Sequence, residues 1–367
     1  MTGKALAAGL EQLTGTADPP KHLENLSMHT RARSLVMEMF GQIDRDLNLS
    51  DSPEGDVRTE SQQIFEDYAK RVADRKLGRS GILTGLLPID LYTSGFQNGD
   101  LVLFPAYTSE GKTQLCVHLA HHCAVHQRKN VYMATSETIR PQVIRRIIAR
   151  HSKEPMFGLP DGINSKWLKM GDIPQELLDS YKLVVQDFTT NPAYGKLHVA
   201  QIPRGSTIAQ LEQRVQSVQR SWDVDLVIID YLALLRPERH RQSGWEEKSD
   251  ILKDAKMLAV TFAEGRGVPV VSPWQFSRSG YETALRTGYY KLSDLSESAE
   301  AEKSSDLIIP LLRMAPPEDP RRVELKAQVL KNRDGETAEA ISLLCDYTTS
   351  TFSVPQSNAS MEALLEN

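Results

Sequence analysis

Apolar residues follow two different rhythms along the 367-residue chain, and the change of rhythm divides it. Between Thr30 and Leu47 they fall at Ala32, Leu35, Val36, Met39, Phe40, Ile43 and Leu47, a three-and-four spacing that gives a helix one apolar face. A polar break with Ser-Pro and Glu-Gly turn signals occupies 48–56. A second helix is predicted over about 60–76, with Ile64, Phe65, Tyr68, Ala69 and Val72 on one side. Two short amphipathic helices cannot bury both apolar faces unaided. The helical hairpin at 28–76 is therefore expected to dock on the main domain or on a neighbouring subunit. Residues 77–84 read as a linker, and 1–27 and 355–367 as flexible ends.

From Gly85 to Val354 short apolar runs alternate with amphipathic stretches. Strands are predicted at Asp100–Phe104, Asn130–Thr135, Lys196–Ala200, Leu226–Asp230, Pro269–Ser272, Leu307–Leu312, Val323–Leu330 and Ala338–Leu344. Several early runs are continuously apolar, as parallel strands buried on both faces require. Helices between them predict an α/β domain over 85–354 with a mostly parallel, twisted sheet. Asn332-Arg-Asp-Gly-Glu336 between the last two runs signals a C-terminal antiparallel hairpin.

Composition narrows the class. With 40% apolar and 25% charged residues the chain has material for a sizeable core. No apolar run approaches the ~18 residues of a membrane span, and the first twenty residues make a poor signal peptide. Cys116, Cys123 and Cys345 lack C-x-x-C spacing, which excludes a disulfide framework and fits a reduced, cytoplasmic setting. A net charge of −5 means that any contact with nucleic acid must rest on locally concentrated basic groups.

The strongest chemical signal is Ala106-Tyr-Thr-Ser109-Glu110-Gly111-Lys112-Thr113-Gln114, placed between a predicted strand and a predicted helix. A phosphate-binding loop needs inward backbone N–H groups, a Gly where a side chain would collide with phosphate, a Lys for the β- and γ-phosphates and a hydroxyl for Mg²⁺. Gly111, Lys112 and Thr113 supply the last three, while Ala106 stands where the general pattern has Gly. Leu226-Val-Ile-Ile-Asp230 ends an apolar strand in an acid suited to the metal's hydration shell. Glu137 follows another strand and is a candidate general base, or a first-turn acid favoured by the helix dipole. Gln275 is a candidate γ-phosphate sensor or a surface amide. Lys331 and Arg333, two apart on an extended segment, project together from one edge. They read as an arginine finger for a neighbour's site or as a solvated hairpin tip. Cys116, His118, His121, His122, Cys123 and His126 crowd the predicted helix after the phosphate-binding loop, with His118, His122 and His126 on one face, but a structural zinc site usually draws on two elements, so packing and surface roles are expected for them.

In this order the motifs resemble the DnaB family of replicative helicases. Thr84-Gly85 and Tyr92-Thr-Ser-Gly-Phe-Gln-Asn-Gly-Asp-Leu101 look like that family's entry into its motor domain. Ala at the first loop position is frequent there. Ser136-Glu137, Ile229-Asp230-Tyr231-Leu232, Trp274-Gln275-Phe-Ser-Arg-Ser279 and Lys331-Asn-Arg333-Asp-Gly335 match its further motifs. The resemblance implies a RecA-like core, ATP and Mg²⁺ as cofactors, and a hexameric ring moving 5′ to 3′ on single-stranded or forked DNA, with loader or replisome proteins as partners. The region 28–76 looks like the family's docking hairpin and linker helix. Two departures stand out. The family's globular amino-terminal domain has no counterpart in residues 1–27. Its Asp-Leu-Arg-Glu-Ser-Gly stretch, near the DNA-gripping loop, reads Asp294-Leu-Ser296-Glu297-Ser298-Ala299 here. Arg278, Arg286 and Lys291 are candidates to replace the missing Arg, or residues of an ordinary solvated loop. An oligomeric ATPase serving as a switch or scaffold, without unwinding, is the alternative.

Overall fold

Four pentapeptides, Leu101–Pro105, Val131–Thr135, Leu226–Asp230 and Val270–Trp274, become the centre of a parallel sheet because both of their faces find cover, whereas Leu197–Gln201 at its edge stays half-exposed. The computed structural model describes residues 81–355 apart from 109, 239–242, 296–297 and 314–320, together with seven helical positions between 57 and 72. The remainder of the hairpin expected at 28–76, the linker up to residue 80, and residues 1–27 and 356–367 lie outside the described residues. The elements run α1 (Leu87–Thr93), β1 (Leu101–Pro105), α2 (Lys112–Val125), β2 (Val131–Thr135), α3 (Arg140–His151), α4 (Ser165–Met170), α5 (Leu178–Thr190) and β3 (Leu197–Gln201). There follow α6 (Ile208–Gln219), β4 (Leu226–Asp230), α7 (Gly244–Thr261), β5 (Val270–Trp274), α8 (Arg278–Thr287) and α9 (Ser298–Ser304). The chain closes with β6 (Leu307–Ile308), β7 (Leu311–Arg313), β8 (Arg322–Val329), β9 (Lys331–Asn332), β10 (Ala338–Asp346) and β11 (Thr351–Ser353).

A 7-stranded sheet has the order β3-β2-β4-β5-β1-β6-β9, parallel except for β9. Alternation along each strand sends side chains to two cores. Val102 and Phe104 join α2 and α3 through Leu115, Leu119, Val143 and Ile147. Leu101 and Leu103 join α6 and α7 through Leu211, Val215, Leu252 and Leu258. The α2 helix is sunk so deeply that His118 and His121 are buried along with its apolar residues.

The predicted strand Leu307–Leu312 is two strands. β6 pairs in parallel with β1, whereas β7 pairs antiparallel with β8 in a second, 4-stranded sheet ordered β11-β10-β8-β7. Pro310 separates them, since it lacks the N–H a ladder needs and so permits the chain to change sheets there. The expected antiparallel pairing of the last long strands is present between β8 and β10. β11 was not predicted: three residues carry too short a pattern to read.

Just before β3 the chain passes hard against the loop that follows α2. A Cβ at Gly195 would lie 2.0 Å from the Lys129 carbonyl oxygen, a backbone atom. Gly195→Ala is therefore expected to cost about 1–3 kcal/mol through forced backbone displacement. Urea unfolding of the two proteins measures this, and an unchanged midpoint would show that the segment yields freely.

Candidate functional site

The carboxyl edge of the parallel sheet gathers the polar residues that its strands cannot hold inside. β1 runs into the loop 106–111, where Ala106 makes a bridge to Leu311 and Gly111 takes φ +89° before α2 begins. No side chain caps α2 at Gly111, so its first N–H groups stay available to an anion. Lys112 Nζ donates to the carbonyls of Ala106 (2.9 Å) and Tyr107 (3.2 Å), which holds the ammonium at the mouth of the loop. A cleft of about 440 Å³ opens here, lined by Gly111, Lys112, Thr113, Gln114, Glu137 and Gln275 among others.

These residues come from neighbouring strands: Glu137 follows β2, Gln275 follows β5 and Lys112 follows β1, with β4 and Asp230 between β2 and β5. Asp230 is buried, and neither carboxylate oxygen makes a geometrically complete hydrogen bond among the described residues. Burial raises its pKa to about 6; the Thr113 hydroxyl beside it opposes the rise, Glu137 adds to it, and Arg146 and Lys112 oppose it. Burial likewise lowers the Lys112 pKa, against the pull of Glu110, Glu137 and Asp230. A buried carboxylate whose oxygens lack donors, beside a threonine hydroxyl, is chemistry suited to a hard divalent cation and its water shell.

Ala106 and Glu110 do not line the cleft. Ala106 is fully buried, and Glu110 Oε2 accepts from Tyr107 N–H at 3.3 Å, so both shape the loop from behind. Ser109 lies outside the described residues. Arg146, Thr138, Tyr231 and Tyr347 also line the cleft and were missed by sequence reasoning. Arg146 stands in an amphipathic helix where an arginine reads as surface, and Tyr347 arrives from the far sheet. Gln275 Nε2 donates to Tyr231 Oη at 3.3 Å, which orients the amide at the cleft.

Lys331 and Arg333 stand away from the cleft, as their position predicts, but they are not at a free hairpin tip. β9 turns back onto the main sheet by pairing with β6, because the chain re-enters it after β8. Lys331 Nζ donates to the carbonyls of Glu302 and Ser305. Arg333 pairs with Asp306 (Nη1 to Oδ1, 2.8 Å) and donates to the Lys303 carbonyl at 3.1 Å.

Among the DNA-contact candidates, Arg278 pairs with Glu282 at 3.2 Å on α8, Arg286 donates to Thr283 Oγ1 at 3.5 Å, and the Lys291 ammonium lies 6.0 Å from the Tyr289 ring centre. None lines the cleft, and Ser296 and Glu297 lie outside the described residues. One link to the cleft was not legible in the sequence. The Tyr107 ring, on the phosphate-type loop, stacks on Tyr281 of α8 with centroids 4.0 Å apart and planes 3° from parallel. The His118 and His122 rings stack along α2, His126 just past its end is tilted 31° to His122, and His118 Nδ1 accepts from Phe352 N–H at 3.2 Å, in keeping with a packing role for His118 and His122.

Residues 81–353 match the family described as DnaB-like helicase C terminal domain. The chain is 27% identical over 239 residues to the replicative DNA helicase DnaB of Geobacillus stearothermophilus, covering 64% of this chain and 47% of that protein. It is 26% identical over 275 residues to a probable plasmid replicative DNA helicase of Chlamydia muridarum, covering 74% and 54%. The chain thus spans about half the length of the curated relatives it matches. In fold it is similar to a solved ATPase domain, with a TM-score of 0.67 and 22% identity over 83% of this chain and 100% of that one. It is also similar to a DnaB-like replicative helicase solved in a study of its interactions with primase, with a TM-score of 0.62 and 20% identity over 96% and 76%.

Asp230 supplies a pH test. Its folded pKa of about 6 exceeds the ordinary 3.8, so folding favours the protonated acid. Its contribution to stability falls as pH rises from about 4 to 6 and stays low above that. In EDTA without nucleotide, Asp230→Asn should be more stable than wild type at pH 7 by up to about 3 kcal/mol, with the gap closing near pH 4. Thermal melts across pH test this, and a pH-independent gap would show that Asp230 titrates normally.

Proposed function

The chain belongs to the family of DnaB-like helicase C-terminal domains, and from that premise we propose that it is the motor of a replicative DNA helicase. In this reading it forms a homo-oligomeric ring, a hexamer, uses ATP with Mg²⁺, and moves 5′ to 3′ on single-stranded DNA to part a forked duplex. The observation that carries the reading is the convergence of Lys112, Glu137 and Gln275 from neighbouring strand ends around one cleft, with Asp230 buried behind it beside Thr113. A cytoplasmic setting and loader or replisome partners belong to the same proposal. No described helix is long and apolar enough to cross a membrane.

Each residue has a task set by its position. The N–H groups opening α2 and the Lys112 ammonium hold the β- and γ-phosphates. Thr113 and Asp230 would hold Mg²⁺, which screens phosphate charge and orients the oxygens when bound. Glu137 takes the proton of the attacking water. Gln275, steadied by Tyr231, reads the γ-phosphate. The Tyr107–Tyr281 stack passes loop movement to α8, which carries Arg278 and Arg286 as candidate DNA contacts.

Lys331 and Arg333 would complete the site of a neighbouring subunit. Arg333 must then exchange Asp306 for a phosphate. Asp306 Oδ2 still accepts from Lys256 Nζ (2.6 Å) and from Leu101 N–H (2.8 Å), so the buried carboxylate keeps partners when the arginine leaves. A switch or scaffold ATPase without unwinding is the second reading, favoured by the pairing of Arg278 within its own helix and by the net charge of −5.

Strand separation of a forked duplex with a 5′ tail, with ATP and Mg²⁺, should occur with wild type and vanish in Lys112→Ala. ATP hydrolysis indifferent to single-stranded DNA, without unwinding, would select the switch or scaffold. Arg333→Ala should lower hydrolysis on the order of 10³-fold. Mixing Arg333→Ala with Lys112→Ala should restore part of it, since a mixed ring contains sites with one intact loop and one intact finger. If the mixture stays as inactive as its parts, the trans assignment is wrong.

A further inference from the structure

A chain of hydrogen bonds at the far end of α2 fixes where its protons lie. Asp187 Oδ2 is 2.9 Å from His151 Nε2, and the same carboxylate accepts from Tyr194 Oη (2.7 Å) and, through Oδ1, from Asn191 Nδ2 (3.1 Å). Desolvation opposes ionisation of Asp187, but these donors outweigh it and bring its pKa below the ordinary value. An ionised carboxylate can only accept, so His151 carries its proton on Nε2 and leaves Nδ1 bare. That bare nitrogen lies 2.9 Å from His121 Nε2, which must therefore be the N–H. His121 Nδ1 is left as a lone pair.

Among the described residues this lone pair has nothing to accept from. His121 is fully buried, and its Nδ1 has no hydrogen-bond partner. Across from it, 4.0 Å away, stands Glu154 Oε1, itself an acceptor. Reversing the tautomers would only move the conflict, setting His151 Nε2 as a second acceptor against Asp187. Glu154 Oε1 already accepts from Arg150 Nη1 at 3.0 Å and lies 3.2 Å from His126 Nε2, so the lone pair left over is that of His121 Nδ1, and a cation held jointly with Glu154 and His126 would satisfy it.

We propose that His121 Nδ1, His126 Nε2 and Glu154 Oε1 form a binding site for a divalent d-block ion of the zinc type, independent of the nucleotide cleft. The three donor atoms all lie within 4.8 Å of one another. His126 Nε2 is 3.2 Å from Glu154 Oε1. Tetrahedral zinc with bonds of about 2.0–2.2 Å needs donors roughly 3.3–3.6 Å apart, so small side-chain movements close the set. Two nitrogens and one carboxylate oxygen suit zinc better than calcium or magnesium. The ligands come from two elements, the end of α2 and the turn after α3, unlike the single-helix row of His118, His122 and His126. His126, with its side chain 40% exposed, gives the ion an entry path and leaves a fourth position to solvent. The His151–Asp187 pair supplies the outer-shell support that orients a metal-binding imidazole. Arg150, 3.0 Å from Glu154 Oε1, aims the carboxylate, while its charge tempers the affinity. The bound ion would pin the end of α2 to α3, whose Arg146 lines the nucleotide cleft.

The test uses untagged full-length protein stripped with EDTA and titrated with Zn²⁺ against a chromophoric chelator at micromolar concentration. One equivalent should bind and raise Tm, and Co²⁺ in its place should give the intense visible bands of tetrahedral coordination. His126→Gln alters the exposed ligand, so Tm without metal should match wild type while Zn²⁺ affinity falls at least 10-fold. Asp187→Asn, which touches none of the three ligands and reaches His121 through His151, should weaken binding about 10–100-fold relative to the affinity change in a Tyr194→Phe control that leaves the carboxylate in place. Absence of stoichiometric binding, octahedral Co²⁺ spectra, or equal affinity in His126→Gln and Glu154→Gln would overturn the assignment. Nucleotide binding by the stripped protein is read separately, so failure here leaves the cleft's assignment standing.

Discussion

A parallel sheet covered on both faces has no place for an uncompensated charge except at the ends of its strands. The backbone groups of β1, β2, β4 and β5 are engaged in the ladder, and their side chains alternate into two apolar cores. Polar residues needed for chemistry are thereby confined to the edges. Strand order then does the assembling. Because β2, β4, β5 and β1 are successive neighbours, residues scattered from 112 to 275 in the chain become neighbours at one edge. Asp230 shows the tension in this arrangement: it sits deep enough for burial to lift its pKa to about 6, in a position where a cation would relieve it.

The opposite edge is organised by Asp306. Its carboxylate receives Leu101 N–H at the start of β1, Lys256 from α7 and Arg333 from the segment after β9. A buried carboxylate with three donors is secure, and one with two remains satisfied. The fold can therefore spare Arg333 to another partner without stranding a charge. Lys331 is held by carbonyls of the same α9 turn, so the two cations would leave together.

α2 connects the two places where ions are proposed to act. Its first turn frames the phosphate-type loop, and its far end brings His121 and His126 to Glu154 of the turn after α3. A helix of 14 residues, about 21 Å long and buried almost all round, transmits position rather than flexing. The stacked Tyr107 and Tyr281 extend the same rigidity sideways, from the loop to α8.

The sequence by itself determined the α/β class, most strands to within a residue or two, and the identity of the cleft's main residues. Continuous apolar pentads and a Gly-Lys-Thr turn after one of them are local patterns, and local patterns are what a single chain displays. Pro310 was visible too, yet its consequence, one strand becoming two in different sheets, depends on which partners each half finds. Only the tertiary structure could bring Arg146 to the cleft from a helix that reads as surface, or set Tyr107 against Tyr281. The same holds for the imidazoles. In sequence the six Cys and His residues from Cys116 to His126 read as packing and surface side chains of one helix, but the direction of the His121 lone pair is set by Asp187 and His151, which reach it only through packing. Spacing along a chain fixes which side chains can share a face; it cannot fix which atoms of other elements will meet them there.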